Sequence, residues 1–210
     1  MTNNIQGVYM AKLYFRYGAM GSSKTANALM VKFNYEERGQ KVILAKPETD
    51  TRDGDGIISS RIGLSSPCIT VQKLIHTDFS EIMEYNAVIV DEAQFLTSKE
   101  VDALARIVDY ADIPVMCYGL RTDFQGNLFE GSRHLFEVAD TVDEIKTICW
   151  CGHKATYNAR YNESGIVRNG SQIEIGANEK YVALCRKHFN EGKLTGTLDD
   201  FEKNIDNMCK

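Results

Sequence analysis

Short apolar runs alternate along the chain with stretches of helical spacing. Lys12–Tyr17 (KLYFRY) reads as a strand, the segment from Lys24 to about Arg38 carries helical periodicity and closes at Gly39, and KVILA (41–45) reads as the next strand. Together they form a βαβ unit. The polar stretch Lys46–Ser66, rich in Gly, Asp and Ser, is long for a connection and is therefore either functional or mobile. Beyond it, Cys68–Val71 reads as a strand, the region near Lys73–Tyr85 as helical segments and AVIV (87–90) as a buried strand. Thr97 and Glu100 stand at capping-box spacing ahead of a helix reaching about Tyr110, and Pro114 opens the strand PVMCYGL. Strands that are apolar at nearly every position belong to a parallel sheet covered on both faces, so the expected class is α/β. Ligands on such sheets bind at the carboxyl ends of the strands.

After about Thr141 the character changes. From Lys146 to His188 the helical periodicity is lost and short strand-like pieces alternate with Gly, Asn and Ser. The expected organisation is a disordered extension over 1–10, an α/β domain over 11–143, a small second domain over 144–192 and a polar tail over 193–210. In that tail Phe201, Ile205 and Met208 sketch a weak helical pattern, either a docking helix or a frayed end.

Composition narrows the classes. A length of 210 residues with 43% hydrophobic and 25% charged positions fits one globular core with a small appendage. A net charge of -5 and a pI near 5.4 argue against a protein that lives on nucleic acid backbones, which calls for a basic stripe. The longest apolar stretch, Ile113–Leu120, is far short of the ~18 residues that a membrane span needs, and Met1–Met10 lacks the features of a signal peptide. No membrane partner and a cytoplasmic address are therefore expected. Six cysteines in that compartment are reduced thiols; Cys68 and Cys117 read as small hydrophobes in apolar segments, and Cys209 lies in the tail.

Immediately after the first strand, Gly18-Ala19-Met20-Gly21-Ser22-Ser23-Lys24-Thr25 fits GxxxxGK[ST] except that Ser23 stands where the second glycine would be. Strand, glycine turn and helix start aim successive N–H groups at a phosphate, at the positive end of the helix dipole. Lys24 would reach the β and γ phosphates and the Thr25 hydroxyl would ligate Mg²⁺. The competing reading is a plain turn in which Ser22 or Ser23 caps the helix and Lys24 is a solvated surface residue. A second feature favours the phosphate site: the strand AVIV ends in Asp91-Glu92. An Asp at the end of a neighbouring strand lies opposite the loop and holds Mg²⁺, which leaves Glu92 as general base toward an attacking hydroxyl. Met20 in the loop, with Phe95, Leu120, Phe124 and Phe129 near other strand ends, could form an apolar slot for a flat base, although for each alone core packing is the readier explanation.

The remaining cysteines cluster with histidine. Cys149-Trp150-Cys151 and Cys185-Arg186-Lys187-His188 make a Cys₃His set suited to tetrahedral, structural Zn²⁺. The CxC spacing leaves Cys149 or Cys151 the weaker ligand, with His153 as a possible substitute.

The pieces GAMGSSKT, KPETDTR, DEAQF, LRTDFQ, CWCGHKA, IGANEKY and CRKH, in this order, resemble the zinc-containing thymidine kinase family over about residues 11–190. The resemblance implies a RecA-like P-loop NTPase parallel sheet with helices on both faces, plus a small zinc-binding lasso domain. It implies transfer of the γ-phosphate of ATP to the 5′-hydroxyl of thymidine or deoxyuridine. It assigns Gly18–Thr25, Asp50, Arg52, Asp91 and Gln94 to ATP and Mg²⁺, Glu92 to proton acceptance, and Met20, Phe95, Leu120 and Phe124 to the base. Main-chain groups of Gln172, Ile173, Glu174, Ile175 and Gly176 would bond the thymine edge, with Tyr181 packed beside it and Asn158 at the lasso base. Two departures stand out: Ser23, where relatives often carry Gly, and Asn158, a hydroxyl residue in some relatives. A homotetramer and feedback inhibition by dTTP are further implications. Two rivals stay open from the residues alone: a phosphate-loop kinase for another hydroxyl acceptor, and a zinc-bearing ATPase stimulated by DNA.

Overall fold

The structure is a computed structural model and describes residues 10–50, 54, 56–172 and 180–195. The extension over 1–9 and the tail over 196–210 lie outside the described residues. In chain order the core comprises β1 (Leu13–Tyr17), α1 (Lys24–Glu36), β2 (Val42–Lys46), β3 (Ile57–Ser59), β4 (Ser65–Pro67), β5 (Ile69–Thr70), α2 (Val71–Ile75), α3 (Phe79–Ile82), β6 (Ala87–Val90), α4 (Ser98–Ala111), β7 (Val115–Gly119), α5 (Glu130–Val138) and β8 (Thr141–Glu144). Six of these strands form one sheet in the order β5-β2-β6-β7-β1-β8. Every pair in it is parallel.

The continuous apolar strands follow from burial on both faces. Leu13, Phe15, Val88, Val90, Val115 and Cys117 point into a cluster completed by Leu74, Ile82, Leu104 and Leu135 from the α2–α5 side. Their neighbours Ala87, Ile89, Met116 and Tyr118 point the other way, against Ala28 and Leu29 of α1 and Ile58 of β3. All four residues of β6 are fully buried; each Val or Ile there contributes roughly 1.5–3 kcal/mol.

Register sets the working edge. Phe15 and Val90 both pair with Cys117, so β7 lies between β1 and β6. The strand carrying Asp91 is therefore not the direct neighbour of the strand that opens the glycine loop, as the sequence suggested. The two ends instead face each other across Gly119–Leu120, and Gly18 N–H donates to the Gly119 carbonyl at 3.2 Å.

Local differences from the sequence pattern have local causes. Thr70 accepts from Lys73 N–H at 3.1 Å and caps α2, so Val71 begins a helix instead of ending a strand. The helical segments expected near 73–85 are α2 and α3, separated where the Thr77 hydroxyl donates to the Lys73 carbonyl and Asp78 turns extended. The long polar connection contains the β3–β4 hairpin. Helix α5 was not anticipated, nor was β8, whose sequence TVDE is polar because it pairs on one side only, with β1. β8 runs to Glu144, one residue past the expected end of the α/β domain.

The rest of the chain forms β9 (Thr147–Ile148), β10 (Lys154–Ala155), β11 (Tyr157–Asn162), β12 (Gly165–Ile166), β13 (Lys180–Leu184) and α6 (Arg186–Glu191). β9 and β10 form an antiparallel pair, and β12-β11-β13 a three-stranded antiparallel sheet. They share a separate cluster with Ala155, Ala159, Leu184 and Phe189. Among the described residues no helix is long and apolar enough to cross a membrane.

The capping box is present: Glu100 N–H donates to Thr97 Oγ1 at 3.3 Å and Thr97 N–H donates to Glu100 Oε2 at 2.8 Å. Thr97→Ala is expected to cost about 1 kcal/mol. The urea midpoint should fall with an unchanged slope; an unmoved midpoint would show that the cap contributes nothing.

Candidate active site and metal centre

The glycine loop joins β1 to α1. Gly18 is required by packing, since a Cβ there would come within 2.4 Å of the Ile145 carbonyl, and Gly21 has a φ of 72°. Ser23 itself adopts the left-handed region, φ 60° and ψ 30°, and makes no side-chain cap bond. The departure at this position is thus absorbed as strain of roughly 1–2 kcal/mol, while the Ser23 carbonyl still accepts Asn27 N–H in the first helical turn. Lys24 is not a solvated surface residue. It is buried, and its ammonium donates to the Ala19 carbonyl at 2.9 Å and the Gly18 carbonyl at 3.3 Å.

Across the strand ends, Asp91 is 3% exposed and its Oδ1 is a buried oxygen with no hydrogen-bond donor. Burial, reinforced by the Glu92 charge beside it, pushes its carboxyl up to about 7, against the opposing effect of a hydrogen bond from Thr25. An unpartnered buried carboxylate oxygen next to the Thr25 hydroxyl fits a hard divalent cation such as Mg²⁺, which takes oxygen ligands. Glu92 sits half-buried with φ 52°. Ser23, Glu92 and Asp112 are the positive-φ non-glycine residues among those described, and the first two border the cleft, in keeping with strain stored at working sites.

The cleft has a volume of about 390 Å³. It brings together Met20, Gly21, Ser23, Lys24, Thr25, Asp50, Asp91, Glu92 and Leu120 of the expected residues. Its far wall was missed by the sequence reading: Ser59, Ser60, Arg61 and Ile62 of the β3–β4 hairpin, anchored by buried Ile58. The unusual length of the 46–66 connection was the available signal. Asp50 is buried, with its carboxylate 4.0 Å from the Lys46 ammonium. Arg52 lies outside the described residues, as do Ile173, Glu174, Ile175 and Gly176.

Other expected residues stand elsewhere. Gln94, expected beside ATP and Mg²⁺, is buried behind Glu92 and bonds that carboxylate and Leu120 N–H. Asn158, expected at the lasso base in the substrate site, bonds with both ends of its amide inside the protein: Oδ1 accepts Met20 N–H and Nδ2 donates to the Thr122 carbonyl, each at 2.8 Å. It ties β11 to the glycine loop. The Phe124 ring is buried under the Arg160 guanidinium at 3.7 Å, and Phe95 packs edge-on to Phe129 at 5.6 Å; neither lines the cleft. Tyr181 is half-buried on β13 opposite Arg160. Gln172 is held by its side chain, which donates to Asp123 Oδ2 at 2.8 Å.

The metal cluster is a convergent set. The ligand atoms of Cys149, Cys151, Cys185 and His188 all lie within 4.8 Å of one another, and all four residues are buried. Cys149 Sγ and Cys185 Sγ stand 3.5 and 3.4 Å from His188 Nδ1, and Cys151 Sγ stands 3.9 Å from Cys185 Sγ. A tetrahedron with Zn–S bonds of about 2.3 Å has edges of about 3.8 Å, so four donors of this chemistry at these separations fit Zn²⁺ with no position left open. The tight CxC spacing is accommodated by the β9–β10 turn, with Gly152 at φ 83° and Cys149 N–H donating to the His153 carbonyl. His153 is exposed and outside the set. Burial holds His188 below the usual imidazole range, which favours its neutral, ligating form, and Trp150 stacks on its ring at 4.1 Å.

For Asp91 the sign of the pH dependence follows from the upward shift. Its favourable contribution is fully present below about 4 and is lost as pH rises through about 7, because the folded state disfavours the charge. In protein freed of divalent cations, Asp91→Asn should melt several degrees above the parent at pH 8, with the gap narrowing as pH falls below about 7 and closing only near pH 4. A parent as stable as the variant at pH 8 would contradict an uncompensated buried charge.

Residues 11–189 match the family described as thymidine kinase. A Rhodopirellula baltica protein named thymidine kinase is 50% identical over 188 residues, spanning 87% of this chain and 89% of its own. One of the same name from Zymomonas mobilis is 47% identical over 190 residues, spanning 87% of this chain and 97% of its own. A third, from Streptococcus pyogenes, is 48% identical over 184 residues, spanning 86% and 97%.

Proposed function

The chain belongs to the thymidine kinase family, and from that premise we propose how its residues divide the transfer of a γ-phosphate from ATP to the 5′-hydroxyl of thymidine. Thymidine kinase activity, with ATP as donor and a nucleoside as acceptor, follows from that membership. The observation that carries the residue assignment is the cleft in which the glycine loop faces a buried carboxylate with an unpartnered oxygen.

ATP seats its phosphates on the N–H groups of Gly18–Thr25, at the start of α1, with Lys24 exchanging loop carbonyls for phosphate oxygens. Asp91 and Thr25 would hold Mg²⁺, which supplies charge neutralisation to the phosphates when bound. Met20 and Leu120 hold the base side of the nucleoside, and Glu92 accepts the proton of its 5′-hydroxyl. The O5′–Pγ bond forms as the bond from Pγ to the bridging oxygen breaks, giving dTMP and ADP. Asp50 and Arg52 act near the phosphates, and the main chain of 172–176 meets the thymine edge beside Tyr181. Asn158 acts at one remove, through its bond to the Met20 N–H. Cys149, Cys151, Cys185 and His188 would hold Zn²⁺, which would clasp the lasso as a structural ion. Deoxyuridine is a second acceptor, dTTP occupies the same site as a feedback inhibitor, and the enzyme works as a cytoplasmic homotetramer in pyrimidine salvage.

Glu92→Gln keeps the shape of the proton acceptor and removes its charge. It should lower kcat by roughly 10²- to 10⁴-fold while thymidine still binds within about two-fold of the parent, read by calorimetric titration. Near-parental turnover would sink the assignment of Glu92.

A further inference from the structure

Gln94 makes no contact with the cleft, yet it is one of the most enclosed polar side chains in the protein, 1% exposed. Its amide lies between two groups of fixed polarity. On one side the Leu120 N–H, which can only donate, stands 2.9 Å from Oε1. On the other the Glu92 carboxylate stands 2.5 Å from Nε2. The amide can satisfy both in this orientation alone, so its direction follows from chemistry.

The surroundings are shaped for this side chain. At Gly119 a Cβ would come within 2.9 Å of Gln94 Oε1 and 3.0 Å of its backbone nitrogen. At Gly131, in the first turn of α5, a Cβ would come within 2.5 Å of the Ala93 carbonyl and 2.7 Å of the Leu96 carbonyl. Neither glycine has the positive φ that would call for it on backbone grounds. Both are therefore explained by close approach: β7 and α5 press directly on the 3-10 turn Ala93–Phe95 that carries Gln94. The Ser132 hydroxyl continues the chain of bonds, donating to the Leu120 carbonyl at 2.6 Å.

We infer that Gln94 is a positioning residue for the transfer: its amide N–H aims the Glu92 carboxylate into the cleft, while its amide oxygen holds the Leu120 main chain at the base side. One side chain thereby fixes the distance between the proton acceptor and the wall that sets the nucleoside's depth. A glutamate side chain has three torsions to fix, and a displacement of about 1 Å at a reacting group costs on the order of 100-fold. This inference rests on Glu92 being the proton acceptor.

Gln94→Glu separates the two bonds. The carboxylate keeps the size and still offers an acceptor to Leu120 N–H, but it presents an oxygen where Glu92 needs a donor. The expected result is a fall in kcat of about 10- to 100-fold with thymidine affinity close to parental, and a melting temperature several degrees lower because a second carboxylate is buried beside Glu92. Gln94→Leu, which removes both bonds, should lower kcat and weaken thymidine binding together. In a Glu92→Gln background, Gln94→Leu should lower kcat several-fold less than it does in the parent, because the carboxylate it aims is gone, while the weaker thymidine binding from the lost Leu120 bond persists. Parental kcat in Gln94→Glu, or an equal kcat loss from Gln94→Leu in both backgrounds, would overturn the positioning role. If instead Glu92→Gln alone turned over normally, the proton-acceptor reading would fail first.

Discussion

The placement of β7 between β1 and β6 is the constraint on which the site depends. Because Phe15 and Val90 share Cys117 as register partner, the strands reach the carboxyl edge of the sheet nearly level. The glycine loop leaves β1 on one side of Gly119–Leu120, and Asp91 and Glu92 leave β6 on the other. The gap is one strand wide, which is what lets a cleft form over β7 rather than a direct contact between loop and carboxylates. The strand bodies are apolar on both faces, so their hydrophobic burial holds this spacing rigidly, while polar groups are confined to the edge where they are needed.

At that edge the protein accepts unfavourable local states. Ser23 and Glu92 occupy left-handed backbone, and Asp91 is buried with an oxygen that nothing in the described protein satisfies. Each is costly in isolation and each faces the place where phosphate and cation would sit. The surrounding packing, including the close approaches at Gly18, Gly119 and Gly131, is tight enough to enforce them. The small β-rich unit is joined to this edge by directed polar ties: Asn158 to Met20 and Thr122, Gln172 to Asp123, and the Arg121 guanidinium to the Thr156 carbonyl. Its own apolar cluster is small, and the convergent Cys₃His set supplies what that core lacks.

What could be read in the sequence was whatever announces itself through local pattern. The buried strands were legible because parallel strands are apolar throughout, the α4 start because Thr97 and Glu100 satisfy each other, and the metal set because thiolates and imidazole have few other reasons to pair at such spacing. The glycine loop and the acidic pair were legible because backbone geometry and strand position dictate their residue types. Strand order was not, since it depends on crossovers that leave no local trace. β8 was missed because an edge strand can be polar, and the Arg61 hairpin because its contribution is spatial. The protein partners of Asn158, Phe124 and Gln94 were not legible, because residue type says what a side chain can bond, whereas the fold decides which partner reaches it. Asn158 found the glycine loop, Phe124 found Arg160, and Gln94 found Glu92.

The most direct test of the central claim, that the cleft passes a phosphoryl group to a nucleoside and not to water, is transfer of labelled γ-phosphate from ATP and Mg²⁺ across a nucleoside panel. The products are separated into nucleoside monophosphates and free phosphate. The account predicts labelled thymidine monophosphate in step with ADP and little free phosphate. Free phosphate as the main product, rising with added DNA and independent of thymidine, would contradict it.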